Sequence, residues 1–251
     1  MKLKTLTAAL ALSAFAIAGG SLAASAQQTT INVKDGAGGA IANNVTSFDW
    51  AEFGIGMAVG VGPFGTPLTL GAEFDFLYQA NLVNFGNQGS GEKLGLVITA
   101  NGGALTEPVA GVKQFQFTIV GSITERVASI TPDGLDADFA TVGGTISIFY
   151  DEAGLTDAGT QANSLTGEGF DDGIEIARFS VLPGEFSSFE VTSPGTGAGT
   201  AQLEFQVSAA LDFVDPDFLE GILGAIMDLH FDSNLNYPPG TSNTNGFHIG
   251  G

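Results

Sequence analysis

Apolar and polar residues alternate along most of this chain with a period of two. In Thr200–Val214, the residues Leu203, Phe205, Val207, Ala209, Leu211 and Phe213 alternate with Gln202, Glu204, Gln206, Ser208, Ala210 and Asp212. Successive side chains of a strand point to opposite faces, so this run predicts a long strand with one dry face and one wet one. Val112–Ile123 repeats the pattern, with Phe115, Phe117 and Ile119 opposite Gln114, Gln116 and Thr118; Thr145–Tyr150 does so through Ile146, Ile148 and Tyr150. Further strands are expected at Thr30–Lys34, Leu68–Tyr78, Leu94–Ala100, Gly173–Val181 and Phe186–Thr192, between clusters of Gly, Asn, Asp and Pro. The expectation is a single all-β domain over residues 27–233, an antiparallel β-sandwich or jelly-roll. Its core should hold Phe115, Phe117, Ile146, Ile148, Phe205, Val207 and Leu211.

Two segments test that reading. Phe53–Phe64 (FGIGMAVGVGPF) has the look of a membrane segment or a small-residue helix seam, but its 12 residues fall short of the roughly 20 that a spanning helix needs. At period two it resolves into Ile55, Met57, Val59 and Val61 on one face and Gly54, Gly56, Ala58, Gly60 and Gly62 on the other. A strand with one bare face packs closely beneath an aromatic ring or offers a shelf for a ligand. Asp215–Asp228 (DPDFLEGILGAIMD) carries a helix signature instead: Asp215 as cap, Pro216 at the first position, and Phe218, Leu219, Ile222, Leu223 and Ile226 as a stripe. One short helix is expected there, against Gly221 and Gly224. Residues 234–251, rich in Asn, Gly and Pro, are expected to form a flexible polar tail.

Residues 1–26 predict a destination. Lys2 and Lys4 precede a short apolar core, Leu6–Ala18, and Ala24-Ser25-Ala26 has the small residues a signal peptidase requires. The chain is expected to be exported from a bacterium, to the medium or the outer cell surface. Removal of the segment takes two of the seven basic residues and none of the 27 acidic ones, so the formal charge moves from −20 to −22. Such a chain repels phosphate, which argues against nucleic acid and anionic membranes as partners. Disorder is excluded by 44% hydrophobic residues, 14% charged residues and 20 Phe. With no cysteine, stability must come from burial.

The reactive inventory is thin. There are two histidines, His230 and His248, and no G-x-S-x-G or H-E-x-x-H motif to place either beside a nucleophile or a metal. Carboxylates are abundant, in three acidic stretches: Asp133, Asp136 and Asp138; Asp151, Glu152 and Asp157; Glu168, Asp171 and Asp172. Hard oxygen ligands suit Ca²⁺. Asp133, Asp136, Asp138, Asp171 and Asp172 are therefore the candidate metal ligands, although Thr141 stands where an EF-hand loop begun at Asp136 would need glycine. The alternative is an acidic, solvated surface.

Three further segments carry a likeness: Phe74-Asp75-Phe76-Leu77-Tyr78-Gln79-Ala80-Asn81-Leu82, Phe149-Tyr150-Asp151, and Gly169-Phe170-Asp171-Asp172-Gly173-Ile174-Glu175-Ile176-Ala177. With the leader and the glycine-rich, cysteine-free acidic composition, they resemble the PEP-CTERM (exosortase-sorted) surface proteins, in particular the flocculation-associated group. The resemblance implies an exopolysaccharide-associated or surface protein of a biofilm- or floc-forming Gram-negative bacterium, and it implies no catalytic residues. The family's Pro-Glu-Pro tag, hydrophobic helix and basic end do not occur before His248-Ile249-Gly250-Gly251. Either the sequence stops before the tag or the protein is released.

The function expected is that of a secreted, non-enzymatic structural or adhesive protein, with exopolysaccharide or copies of itself as partners. The alternative is a sugar-binding module or carbohydrate-active enzyme that uses carboxylates and aromatic platforms such as Trp50 and Tyr78.

Overall fold

The computed structural model describes residues 30–50, 55–60, 68–86, 115–132, 136–152, 162, 169–193, 200–222, 226–236 and 248–250. Among them the chain forms β1 (Ile31–Lys34), β2 (Ala40–Val45), β3 (Phe48–Trp50), β4 (Ile55–Val59), β5 (Glu73–Phe85), β6 (Gln116–Ile130) and β7 (Asp136–Asp151). It continues through β8 (Ile174–Val181), β9 (Phe186–Ser193), β10 (Thr200–Val214), β11 (Leu219–Glu220), β12 (Ile226–Asn236) and β13 (His248–Gly250). The all-β antiparallel expectation holds. The predicted strand over Leu94–Ala100 lies outside the described residues, as does the leader.

One large sheet runs β12-β10-β8-β7-β6-β5-β4-β13, with β3 against β5 and β9 against both β7 and β10. β8 and β9 occupy a single row. β8 flanks the second half of β7 and β9 the first, and Leu182–Glu185 interrupts them with a turn. The sheet curls until its end strands, β12 and β13, approach each other. The hairpin β1–β2 is joined by β11 into a small second sheet, and these strands share the core of the large one. The junction is specific: Lys34 N–H donates to Phe218 O at 2.8 Å, Asp215 N–H to Ile176 O at 2.9 Å, and the Tyr150 and Phe218 rings lie 4.9 Å apart.

Aromatic rings fill the concave face. Phe117 sits edge-on to Phe85 (5.7 Å), Phe115 (5.7 Å) and Tyr150 (5.3 Å), and Phe74 meets Phe139 edge-on at 5.0 Å nearer the other end of the strands. Each such pair adds about 0.5–1.5 kcal/mol beyond the area it removes from water. Phe115, Phe117, Ile146, Ile148 and Val207 are buried as expected. Leu211 is only half-buried, and Phe205's side chain lies outside the described residues. A bulge between Leu211 and Phe213 shifts the register with β8, turns Phe213 outward beneath the Arg178 guanidinium, and leaves Val214 packed on the core. In β4 the bare face turns inward. Gly56 and Ala58 are buried and lie opposite Tyr78 and Phe76, the close packing beside rings rather than an open shelf.

The short helix does not form. Phe218 and Leu219 N–H both donate to Asp215 O, at 3.2 and 2.9 Å, and Asp217 N–H donates to Asp215 Oδ1 at 2.9 Å, which closes one turn. The turn stops there because Leu219 and Glu220 pair with Val33 and Asn32, Gly221 adopts φ 92°, and β12 begins at Ile226. A single helical turn costs more to nucleate than it returns, whereas the strand pairing buries Phe218, Leu219 and Ile222 all the same. At the far end, His248–Gly250, expected within the polar tail, pair with β4. Main-chain pairing needs no apolar signal in the sequence.

Gly144 makes the sharpest demand on sequence. It has φ 142°, and a Cβ there would overlap the Ser122 carbonyl oxygen and lie 2.8 Å from Ile123 Cα. Gly144→Ala should cost about 2–4 kcal/mol in urea unfolding, by strain and by overlap with backbone that cannot yield. Gly184→Ala, at φ 105° with open space around it, should cost about 1 kcal/mol.

Candidate functional surface

With the interior packed by rings, the described charged side chains of the large sheet fall on its outer face, except Glu125, which is inward on β6. The outer face is built by the polar half of each strand's alternation. Near its hairpin end Arg126 Nε and Nη2 both donate to Glu73 Oε1, at 3.0 and 2.7 Å, Thr124 donates to Asp75 at 2.8 Å and Ser129 to Asp138 at 2.6 Å. Farther across, Arg178 donates to both oxygens of Glu175, and Ser147 adds a bond at 2.8 Å. The Arg178 bond holds the Glu175 carboxyl below its ordinary value, with partial burial opposing and Ser147 assisting. Lys34 does the same for Glu220 across the small sheet, at 3.0 Å.

Strand register also sets acidic residues opposite each other. Asp136 pairs with Glu190 across β7–β9, and Glu204 with Asp232 across β10–β12. Like charges directly opposed across a sheet weaken it, so the exposed Asp136 and Glu190 add nothing to the cohesion of β7 with β9.

Four of the five candidate metal ligands are among the described residues, and they fall into two separate pairs. Asp136 and Asp138 stand exposed at the start of β7, and Asp171 and Asp172 stand exposed in the bend before β8, beside the end of β7. Most of the 16-residue length of β7 separates the two pairs, about 40–50 Å of extended strand. Asp138 accepts from Ser129, and Asp136's main chain closes the β6–β7 turn on Thr131. Asp133 lies outside the described residues. Among the described residues no three His, Asp or Glu side chains gather as metal ligands. His230 stands opposite Gln206 and His248 opposite Met57 in register. Of the proposed platforms, Tyr78 is in the core, its hydroxyl pushed up to about 12 by burial. Trp50 is half-buried, stacked on Phe48 at 6.0 Å and packed against the core.

Toward the Tyr150 end, the outer face is covered instead of wet. Gln116 and Thr118, on the polar side of β6, are fully or nearly buried. Thr118 Oγ1 donates to Phe170 O at 2.6 Å, Gln116 Nε2 donates to Asp151 Oδ2 at 3.0 Å, and Ala162 N–H donates to Gln116 Oε1 at 3.3 Å. These bonds tie Asp151, Ala162 and Phe170 to β6, and they explain why polar residues sit there without exposure.

The position that sequence reading passed over is Glu125. It faces inward between Ile123 and Val127, and it is 1% exposed. Thr141 Oγ1 donates to its Oε1 at 2.9 Å, and Oε2 has no hydrogen-bond partner among the described residues. Burial pushes its carboxyl up to about 7, with the Thr141 bond pulling the other way. Extending the alternation of Phe117, Ile119 and Ile123 by two residues places Glu125 on the dry face, a signal present in the sequence.

The sequence matches no family model, no curated protein and no solved structure.

Thr118→Val, which orphans the buried Phe170 carbonyl, should cost about 1–3 kcal/mol in denaturant unfolding. Ser129→Ala, which removes an exposed bond to Asp138, should cost no more than about 0.5 kcal/mol.

Proposed function

We propose that this chain is a secreted, non-enzymatic structural or adhesive domain of the bacterial matrix or cell surface, acting through the outer face of its large sheet. The observation that carries this reading is the division of labour between the two faces. The inner face is occupied by the protein's own rings, and the strands carry a polar alternate set with acidic residues opposed in register. Opposed carboxylates attract divalent cations, and cations bridge such a face to acidic polysaccharide or to a second copy. The leader-like N-terminus and the resemblance to flocculation-associated surface proteins support the same reading. The sugar-binding alternative draws less support, because Tyr78 is interior and Trp50 packs against the core.

Deleting the gene in the producing bacterium should reduce floc or biofilm mass, and purified protein should restore it. Unchanged aggregation, together with release of reducing ends from a glycan by the purified protein, would reverse the proposal. Millimolar Ca²⁺ should raise light scattering of the purified chain above that in Na⁺ of equal ionic strength; identical curves would reduce the acidic face to a solubilising surface.

A further inference from the structure

We propose that Glu125 is a proton-operated catch in the fold, held as the neutral acid inside the curled sheet and loosening the β6–β7 seam when it ionises. The inference concerns stability and stands apart from the proposed function.

The geometry begins with a bulge. Between Thr124/Gly143 and Glu125/Thr141 the register of β6 and β7 shifts by one residue, with Val142 as the extra residue on β7. The shift moves β7's inward positions from Ile146 and Ile148 to Thr141 and Phe139, so a hydroxyl lands directly opposite the buried carboxyl. Without the bulge, Val142 would take that place, with no donor to offer, and Thr141 would face out. On the other side Glu125 stands opposite Phe74, whose ring packs on Phe139. The buried Glu125 thus has buried Phe74 opposite it in register and buried Ile123 and Val127 on its own strand face, and among the described residues Thr141 is the one side-chain donor to its carboxyl.

A carboxylate so placed holds one hydrogen bond and leaves a bare charged oxygen in low dielectric, which is costly. The neutral acid removes that charge. No cation among the described residues relieves it. Arg126 faces outward onto Glu73. Glu73 and Asp75 on β5 and Asp136 and Asp138 on β7 are exposed. Tyr78, inward on β5, stays neutral across the relevant pH. From the β8–β9 turn, Glu185 accepts Thr141 N–H with its main chain and Ser208 Oγ with its carboxylate, at 3.0 and 3.2 Å. Ser187, inward on β9, offers a buried hydroxyl without a partner among the described residues.

The direction follows from linkage. The folded state keeps the proton to about pH 7, whereas the unfolded chain releases it near 4.5. Stability from this group is therefore fully present below about pH 4.5 and is lost as pH rises through about 7. Glu175 and Glu220, held low by Arg178 and Lys34, work in the opposite direction, losing their contribution as pH falls.

The test is urea unfolding of the purified chain from pH 5 to pH 8, wild type against Glu125→Gln. Gln keeps the shape of the neutral acid and cannot ionise, and the self-repulsion of the acidic chain is common to both proteins. The ratio of folding constants, wild type to variant, should fall on the order of 100-fold over that range. A ratio constant within about twofold, a pKa difference of no more than about 0.3, would overturn the proposal. Should the variant not fold, carbon-detected titration of the wild-type Glu125 carboxyl decides: a midpoint near 7 supports the catch, and one at or below about 5, close to an ordinary carboxyl, overturns it.

Discussion

The dry face of one curling sheet has to be filled from within, and most of the other features follow from that. There are no disulfides and, among the described residues, no helices to cover the face. Long strands of 13 to 16 residues in β5, β6, β7 and β10 bring large side chains onto the concave side. Phenylalanine suits the task, because a ring fills volume with little side-chain entropy and packs edge-on to its neighbours. The small sheet completes the enclosure at the Tyr150 end, where Phe218 joins the rings. Gly56 and Ala58 on β4 leave room for Phe76 and Tyr78 beside them. Once the interior is committed in this way, the described charged side chains of the large sheet, Glu125 apart, are left to its outer face.

Bulges reconcile long strands with that interior. A strand of 15 residues cannot keep one unbroken alternation while it twists and curls, and each inserted residue resets which side chains face in. The bulge at Val142 brings Thr141 to Glu125. A second, between Val127 and Ser129, restores Ile130 to the core side beyond it. The bulge near Asp212 expels Phe213 and admits Val214. The same device that shapes the barrel-like curve therefore decides where a buried carboxyl finds its donor and where a ring meets Arg178.

Much of this architecture was legible from period-two alternation, which located β6, β8, β9 and β10 and most of the tested core positions. What escaped it has physical causes. Asp133–Asp138 reads as an acidic loop, yet Asp136 opens the longest strand, because exposed acidic residues are as compatible with a wet strand face as with a turn. The helix stripe of Phe218, Leu219 and Ile222 was real as an apolar signal, but those residues are buried by a turn and a two-residue strand. Phe213 needed the bulge, which periodicity does not announce. Gln116 and Thr118 read as wet-face residues, and their burial depends on chain arriving from beyond β7. Glu125 was legible and overlooked, since a lone carboxylate within an apolar run draws less notice than an acidic cluster.

Amide hydrogen exchange along the chain tests the central claim, that the β6–β7 ladder and the rings on its inner face organise the molecule. Amides that bond across β6 and β7 between Phe117 and Val127, and their partners between Phe139 and Tyr150, should exchange slowest and at the rate set by global unfolding. The small sheet, β1, β2 and β11, should exchange faster, by local opening. Slowest exchange in the small sheet, with rapid exchange along Phe117–Val127, would contradict the account.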